Sequence, residues 1–306
     1  MIAYLITIAI LVIIAALIGL ALNLQWGLAG LVNFGVVGFV AIGAYTTALT
    51  APAIGWLPAM LLAAFVAAAL SAGLALLSIR LEENYLAIIT IGFGEAVRLV
   101  ILNEGWLTNG ALGIADIQRP FPGLTERFGG DIVFVVFAIG VLAVVFVALE
   151  GWTRAPFGRA LRAIRDDATI SAALGKPVFA LRVRAFAIGG AVMGLAGALQ
   201  AFYLTYIDPS QFSAIVTSYA FMAVIAGGRG SNVGLLVGAG SIMALLEGTR
   251  FLKDFISVID GVQLSALRLG LIGVGIILLL ILRPQGLVPE ARRKAADVLA
   301  KPREAA

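Results

Sequence analysis

The chain has 306 residues, of which 61% are Ala, Val, Ile, Leu, Met, Phe, Trp, Tyr or Cys and only 12% are charged. A soluble domain typically carries about twice that share of charge, so the composition excludes a soluble enzyme, a disordered chain and a nucleic-acid-binding domain. With no cysteine and no histidine, disulfides, thiolate metal sites and the commonest general base are absent too.

A helix needs about 20 mostly apolar residues to cross the hydrocarbon core of a bilayer. That ruler marks about nine spans, at roughly 2–22, 31–51, 57–79, 85–102, 132–151, 185–206, 214–228, 232–248 and 266–282. Three of them, 31–51, 214–228 and 232–248, are short or glycine-interrupted, so the count lies between about eight and ten. The expected fold class is all-α: a polytopic helical membrane protein with glycine-broken segments, one transmembrane domain over 1–306. The first segment, Ile2 to Leu22, lacks a basic n-region and is too long for an h-region, so it reads as a retained span rather than a signal peptide.

Asn23 and Gln25 follow the first span. Asn33 and Gly35 fall in a glycine-rich stretch from Gly27 to Gly43, and a second such stretch runs from Gly227 through Gly228 to Gly240. Glycine-interrupted spans in both halves of a chain point to a pathway built on broken helices, because unwound backbone is tolerated at depth only where protein or water covers it. For any single glycine, close packing is the competing explanation, as in Gly190-x-x-x-Gly194 and Gly234-x-x-x-Gly238. Glu95 lies near the middle of the fourth span with Arg98 three residues on, a spacing that places both on one face and lets them neutralise each other. Charges at that depth are functional by default; a helix–helix clamp, or Arg98 snorkelling to the surface, is the alternative. The candidate pathway residues are therefore Asn33, Gly35, Glu95, Arg98 and Gly228. Glu247 and Arg250 repeat the spacing at a span end, where an interfacial role is favoured.

The loops divide by charge. Arg80, 152–184, Arg229 and the tail 283–306 hold 15 of the 21 basic residues. The other side, 103–131, 207–213 and 249–265, holds four, together with seven acids. The positive-inside rule makes the basic side cytoplasmic, with the N-terminus outside, the C-terminus inside, a periplasmic loop at 103–131 and a basic tail lying on the anionic inner leaflet. In the inner loop 152–184, Pro156 and Gly158 open a helix-like stretch in which Leu161, Ile164, Ala168 and Ala172 form one apolar stripe. Gly175 and Pro177 end it. A short amphipathic helix parallel to the surface is expected, either resting on lipid or docking a soluble partner.

Arg154-Ala-Pro-Phe-Gly-Arg-Ala-Leu-Arg-Ala-Ile-Arg-Asp-Asp167, followed by Ala172-Ala-Leu-Gly175, resembles the cytoplasmic loop of branched-chain amino acid permeases, membrane subunits of binding-protein-dependent ABC importers. Glu83 to Glu95, Leu28 to Gly35, Gly43-Ala-Tyr45, Ala185 to Leu199, Gly227-Gly-Arg-Gly-Ser231 and Arg283-Pro-Gln-Gly286 carry the same resemblance in order along the chain, most similar to the larger-type partner of a permease pair. One departure is Glu83-Asn84, where the family often has Gly-Asp. The resemblance implies an ATPase-coupling helix containing Gly158, Arg159, Arg162, Arg165, Asp166, Asp167, Ala172, Ala173 and Gly175. It also implies a heterodimer with a second homologous permease, two ATP-binding subunits that carry ATP and Mg, and a periplasmic substrate-binding protein. No Gly-x-x-x-x-Gly-Lys-[Ser/Thr] loop occurs, so no cofactor is expected on this chain itself. Urea or short-amide permeases, or a stand-alone secondary transporter, are the alternatives. A membrane-embedded enzyme is disfavoured, since the adjacent pair Asp166-Asp167 lacks a nearby third metal ligand at helical spacing and Glu82-Glu83, flanked by Arg80, reads as a charged helix cap.

Overall fold

The computed structural model describes residues 2–77, 83–124, 129–255, 270, 273–275, 277, 281–283 and 285–290, with side chains throughout except at 2, 3, 83, 84 and 248–255. Among the described residues there is no strand, only an antiparallel bridge between Ile114 and Ile207. The expected all-helical polytopic architecture is observed. Seven described helical segments are long and apolar enough to cross a membrane, and an eighth, Asn232–Glu247, is apolar but shorter. The predicted ninth span, 266–282, lies outside the described residues apart from isolated positions.

Helix α1 (Ile2–Leu22) continues into a π-helical stretch, Asn23–Leu28. The chain is then irregular until α2 (Val36–Ile54), which starts at Val36 rather than near residue 31. The cause is Asn33, whose Oδ1 accepts from the Gly35 amide at 2.9 Å; such a local bond competes with helix and favours a turn. After α3 (Trp56–Leu77) and α4 (Glu83–Asn103) comes a single turn, α5 (Gly105–Thr108). Then follow α6 (Gly130–Arg154), α7 (Pro156–Asp166), α8 (Ala168–Ala173), α9 (Val178–Leu204), α10 (Ala214–Gly227) and α11 (Asn232–Phe255).

Lipid gives no hydrophobic drive between helices, so close van der Waals approach must hold them. Helix α9 is the hub, packed on α1, α2 and α3. A Cβ on Gly190 or Gly194 would strike Ala67 or Ala63 on α3, and one on Gly197 would overlap the Val40 carbonyl of α2. Gly227, Gly234 and Gly238 bring α10 and α11 into backbone contact in the same way. Both small-residue motifs are thus packing surfaces. The outer helices bury one stripe only: α6 turns Phe134, Ala138, Val145 and Leu149 inward and leaves Val136, Ile139, Val144 and Val147 exposed.

The two ends of the bundle differ. Where α4 and α9 finish, Ile117 N donates to Thr205 O (3.1 Å), and Arg119 ties Asp131 (2.8 Å) to the Tyr203 carbonyl (3.0 Å). Trp56, Phe121 and Phe137 cluster beside them in tilted and edge-to-face contacts. The opposite, basic end carries α7 and α8.

Candidate functional site

The irregular stretch between α1 and α2 lies inside the bundle, where each unpaired backbone group costs several kcal/mol. Buried polar side chains meet that demand. Asn33 donates to Gln25 Oε1 (2.8 Å), and Gln25 donates to the Phe186 carbonyl (3.2 Å), which also receives Ser71 Oγ (2.7 Å). Phe34 N donates to Thr90 Oγ1 (3.0 Å) and Val37 N to Thr217 Oγ1 (3.3 Å). Asn23 takes the Gly230 amide (2.8 Å) and donates to Asn232 Oδ1 (3.0 Å); Asn232 in turn donates to Glu150 (2.9 Å). The break is therefore built in, held by a polar network that draws on α3, α4, α6, α9, α10 and the turn into α11.

At the basic end this polar core meets α7. Pro156 starts the helix at a position that needs no amide donor. Gly158 sits so close to the Thr153 backbone that a side chain there would collide, which lets α7 fold sharply off α6. Leu161 and Ile164 point inward and are buried. Arg165, 11% exposed, donates to the Gly27 carbonyl (2.5 Å) and to Glu290 Oε2 (3.1 Å). Glu290, 13% exposed, has its other oxygen 3.7 Å from Arg162, which itself donates to the Thr153 carbonyl (3.0 Å). Residues 285–290 reach this point by pairing with the end of α10: Leu287 N donates to Ala226 O and Val288 N to Gly227 O. Gly228, at φ 110°, packs on Val288 and Gln285 in a conformation that side chains rarely adopt. Arg229 lies over the Trp26 ring, 4.9 Å from its centroid. Four distant segments thus converge: the π-turn, α7, the glycine turn after α10 and residues 285–290.

The predicted apolar stripe does not run straight through α7 and α8. Asp167 is extended, and its carboxylate caps α8 by accepting from Ile170 N (2.9 Å). The helix is reset there, so Ala168 is half-buried while Ala172, Ala173 and Gly175 face outward with Leu174, 73% exposed. Arg159 and Asp166 are exposed as well. Gly175, at φ 77°, ends α8 in the left-handed form, and Lys176 N bonds back to Ser171 O.

The family described as "Branched-chain amino acid transport system / permease component" matches residues 4–282. The chain belongs to this permease family. It is 34% identical to the high-affinity branched-chain amino acid transport system permease protein LivM of Escherichia coli K12, over 93% of this chain and 70% of that protein. It is 29% identical to the probable LivM of Methanocaldococcus jannaschii, over 90% of each. A weaker similarity, 27% over 58% of this chain and 48% of the other, links it to the autoinducer 2 import system permease protein LsrC of Escherichia coli O9:H4. No solved structure matches.

In the permease the residues singled out by sequence separate into three places. Asn33 and Gly35 are in the polar core; a Cβ on Gly35 would overlap the Thr90 carbonyl. Gly228 is in the junction below α10. Glu95 and Arg98 sit elsewhere, on an open face of α4. Glu247 accepts from the Tyr4 hydroxyl (3.1 Å), whereas the side chain of Arg250 is outside the described residues, as are Arg80 and Glu82. Two features of the structure had no sequence signal. Glu290 is an acid in a tail read as basic and lipid-facing, and its partner lies 125 positions away. A cavity of about 190 Å³ between α1, α9, α10 and α11, with Gln200, Tyr203 and Tyr219 in an otherwise apolar lining, arises only from packing. At the other end, burial pushes Asp208 up, but hydrogen bonds from Ser210 and Gln211 outweigh it and hold the carboxyl below its usual range.

Proposed function

We propose that this permease is the translocation subunit of an ATP-driven ABC importer that carries branched-chain or other hydrophobic amino acids across the bacterial inner membrane. It works with a second homologous permease, two ATP-binding subunits that carry ATP and Mg, and a periplasmic substrate-binding protein. The basic end is cytoplasmic and the N-terminus is outside. The exposed side of α7–α8, with Arg159, Asp166, Ala172 and Ala173, docks in a cleft of an ATP-binding subunit. Asn33, Gly35, Glu95, Arg98 and Gly228 belong to the elements that open and line the route.

The observation that carries this reading is Arg165. It binds the carbonyl of Gly27 in the broken first helix and the carboxylate of Glu290 beside the glycine turn. A displacement of α7 is thereby delivered to both glycine-interrupted elements at once. The relative named for import supports the inward direction. The test is leucine uptake into proteoliposomes holding the whole complex, with urea as the comparison substrate. ATP-dependent leucine uptake is expected, and Arg165→Ala is expected to cut it about tenfold while ATP hydrolysis continues, as losing one charge-assisted link predicts. Uptake without ATP, or undiminished uptake by the variant, overturns the reading; urea uptake in place of leucine moves it to the amide class.

A further inference from the structure

We propose that Glu95 and Arg98 form an exchangeable ion pair that receives the charged head of a zwitterionic amino acid in transit; this rests on the amino-acid import reading above. Arg98 binds Glu95 through Nε, 3.0 and 3.1 Å from the two carboxylate oxygens, and through Nη2 at 2.5 Å. Among the described residues the two bond only each other. In this they differ from Asn23, Gln25, Asn33 and Thr90, each of which is bound to backbone or amide groups of other elements.

Their depth makes this significant. Glu95 lies about 18 Å along a helix about 31 Å long, yet Glu95 is 51% and Arg98 30% exposed. A charged pair at that depth facing acyl chains is costly, so the face must meet water or protein polar groups. Snorkelling does not account for it. Side chains on a helix lean toward its N-terminus, and Arg98 reaches back to Glu95, away from the near end of the helix at Asn103. The face also leaves open space beside the pair. Gly92, one turn before Glu95, has nothing within 4 Å of where a Cβ would stand. Exposed Ile88, Ile91 and Leu99 share that face of the helix, where Gly92 leaves a notch in the row of side chains.

An α-amino acid carries an ammonium and a carboxylate on one carbon. Its carboxylate can take the guanidinium of Arg98, and its ammonium the carboxylate of Glu95, so that one internal pair opens as two intermolecular pairs form. No net charge enters or leaves the site, which keeps the low-dielectric cost of transit down. The aliphatic side chain then rests on the Gly92 notch. Because the internal pair re-forms on release, binding stays weak enough for onward passage.

The test is leucine uptake by the reconstituted complex. E95Q/R98Q is expected to lower uptake about tenfold, as loss of both charge contacts predicts. The swapped pair E95R/R98E is expected to restore most of it, because a zwitterion can dock reversed. Undiminished uptake by E95Q/R98Q overturns the proposal, and so does failure of the swapped pair to recover in complexes that co-purify intact. Gly92→Leu, placed where the fold leaves space, supplies an independent reading: leucine uptake is expected to fall about tenfold more than alanine uptake, and equal effects on both overturn the proposal. If the wild-type complex itself fails to take up leucine, it is the import reading that fails; with wild-type uptake intact, these outcomes judge the ion pair alone.

Discussion

Single glycines decide how closely this bundle closes. Gly197 is set against the Val40 carbonyl, so no rotamer change makes room for a side chain. Gly197→Val is expected to destabilise the detergent-solubilised protein by about 1–3 kcal/mol, as overpacking does, read as a lowered Tm. Gly140 faces open space on α6, so Gly140→Ala is expected to hold or raise Tm, with a gain of up to about 1 kcal/mol from helix propensity. The sequence showed that glycines were abundant but not which were immovable, because that depends on what stands opposite. The same limit applied to Glu290. Its neighbours in sequence are basic, and its meaning comes from Arg162 and Arg165, residues brought beside it only by the fold.

At the scale of elements, long apolar runs were legible because hydrophobic length alone identifies a span. The breaks were less so. The start of α2 is displaced by an asparagine bonding its own backbone, and the apolar stripe of the inner loop is interrupted by a cap at Asp167. The signal at Asp167 was present, since an aspartate before a run of small residues is a strong helix start; periodicity read alone passes over it. Asp167→Ala is expected to cost α8 about 1 kcal/mol. Amide exchange over 168–173 should speed up, while the Tm of the whole permease stays unchanged, because α8 is mostly exposed and buries little. A fall in Tm would show that α8 supports the bundle rather than serving as a surface element.

Across the whole molecule, charge separates the two ends, and the absence of cysteine provides a clean way to assign them. Single cysteines at Leu174, 73% exposed beside α8, and at Trp106, 82% exposed after α4, mark opposite ends. With the basic end in the cytoplasm, a membrane-impermeant maleimide is expected to label Trp106→Cys in intact spheroplasts and Leu174→Cys only after the membrane is opened. The reverse pattern inverts the topology. Labelling of both in intact spheroplasts shows that the two loops share a side.

The contact between Arg165 and Glu290 also sets a schedule. The two residues are 125 positions apart, and at about 5–20 residues per second of synthesis the arginines of α7 are made roughly 6 to 25 s before their acid. During that interval the π-turn and α7, joined midway by the glycine turn, stand without the residue that links them. The junction thus closes only after the helices it ties together have been made, and a newborn chain holds α7 before it gains the acid that fixes it.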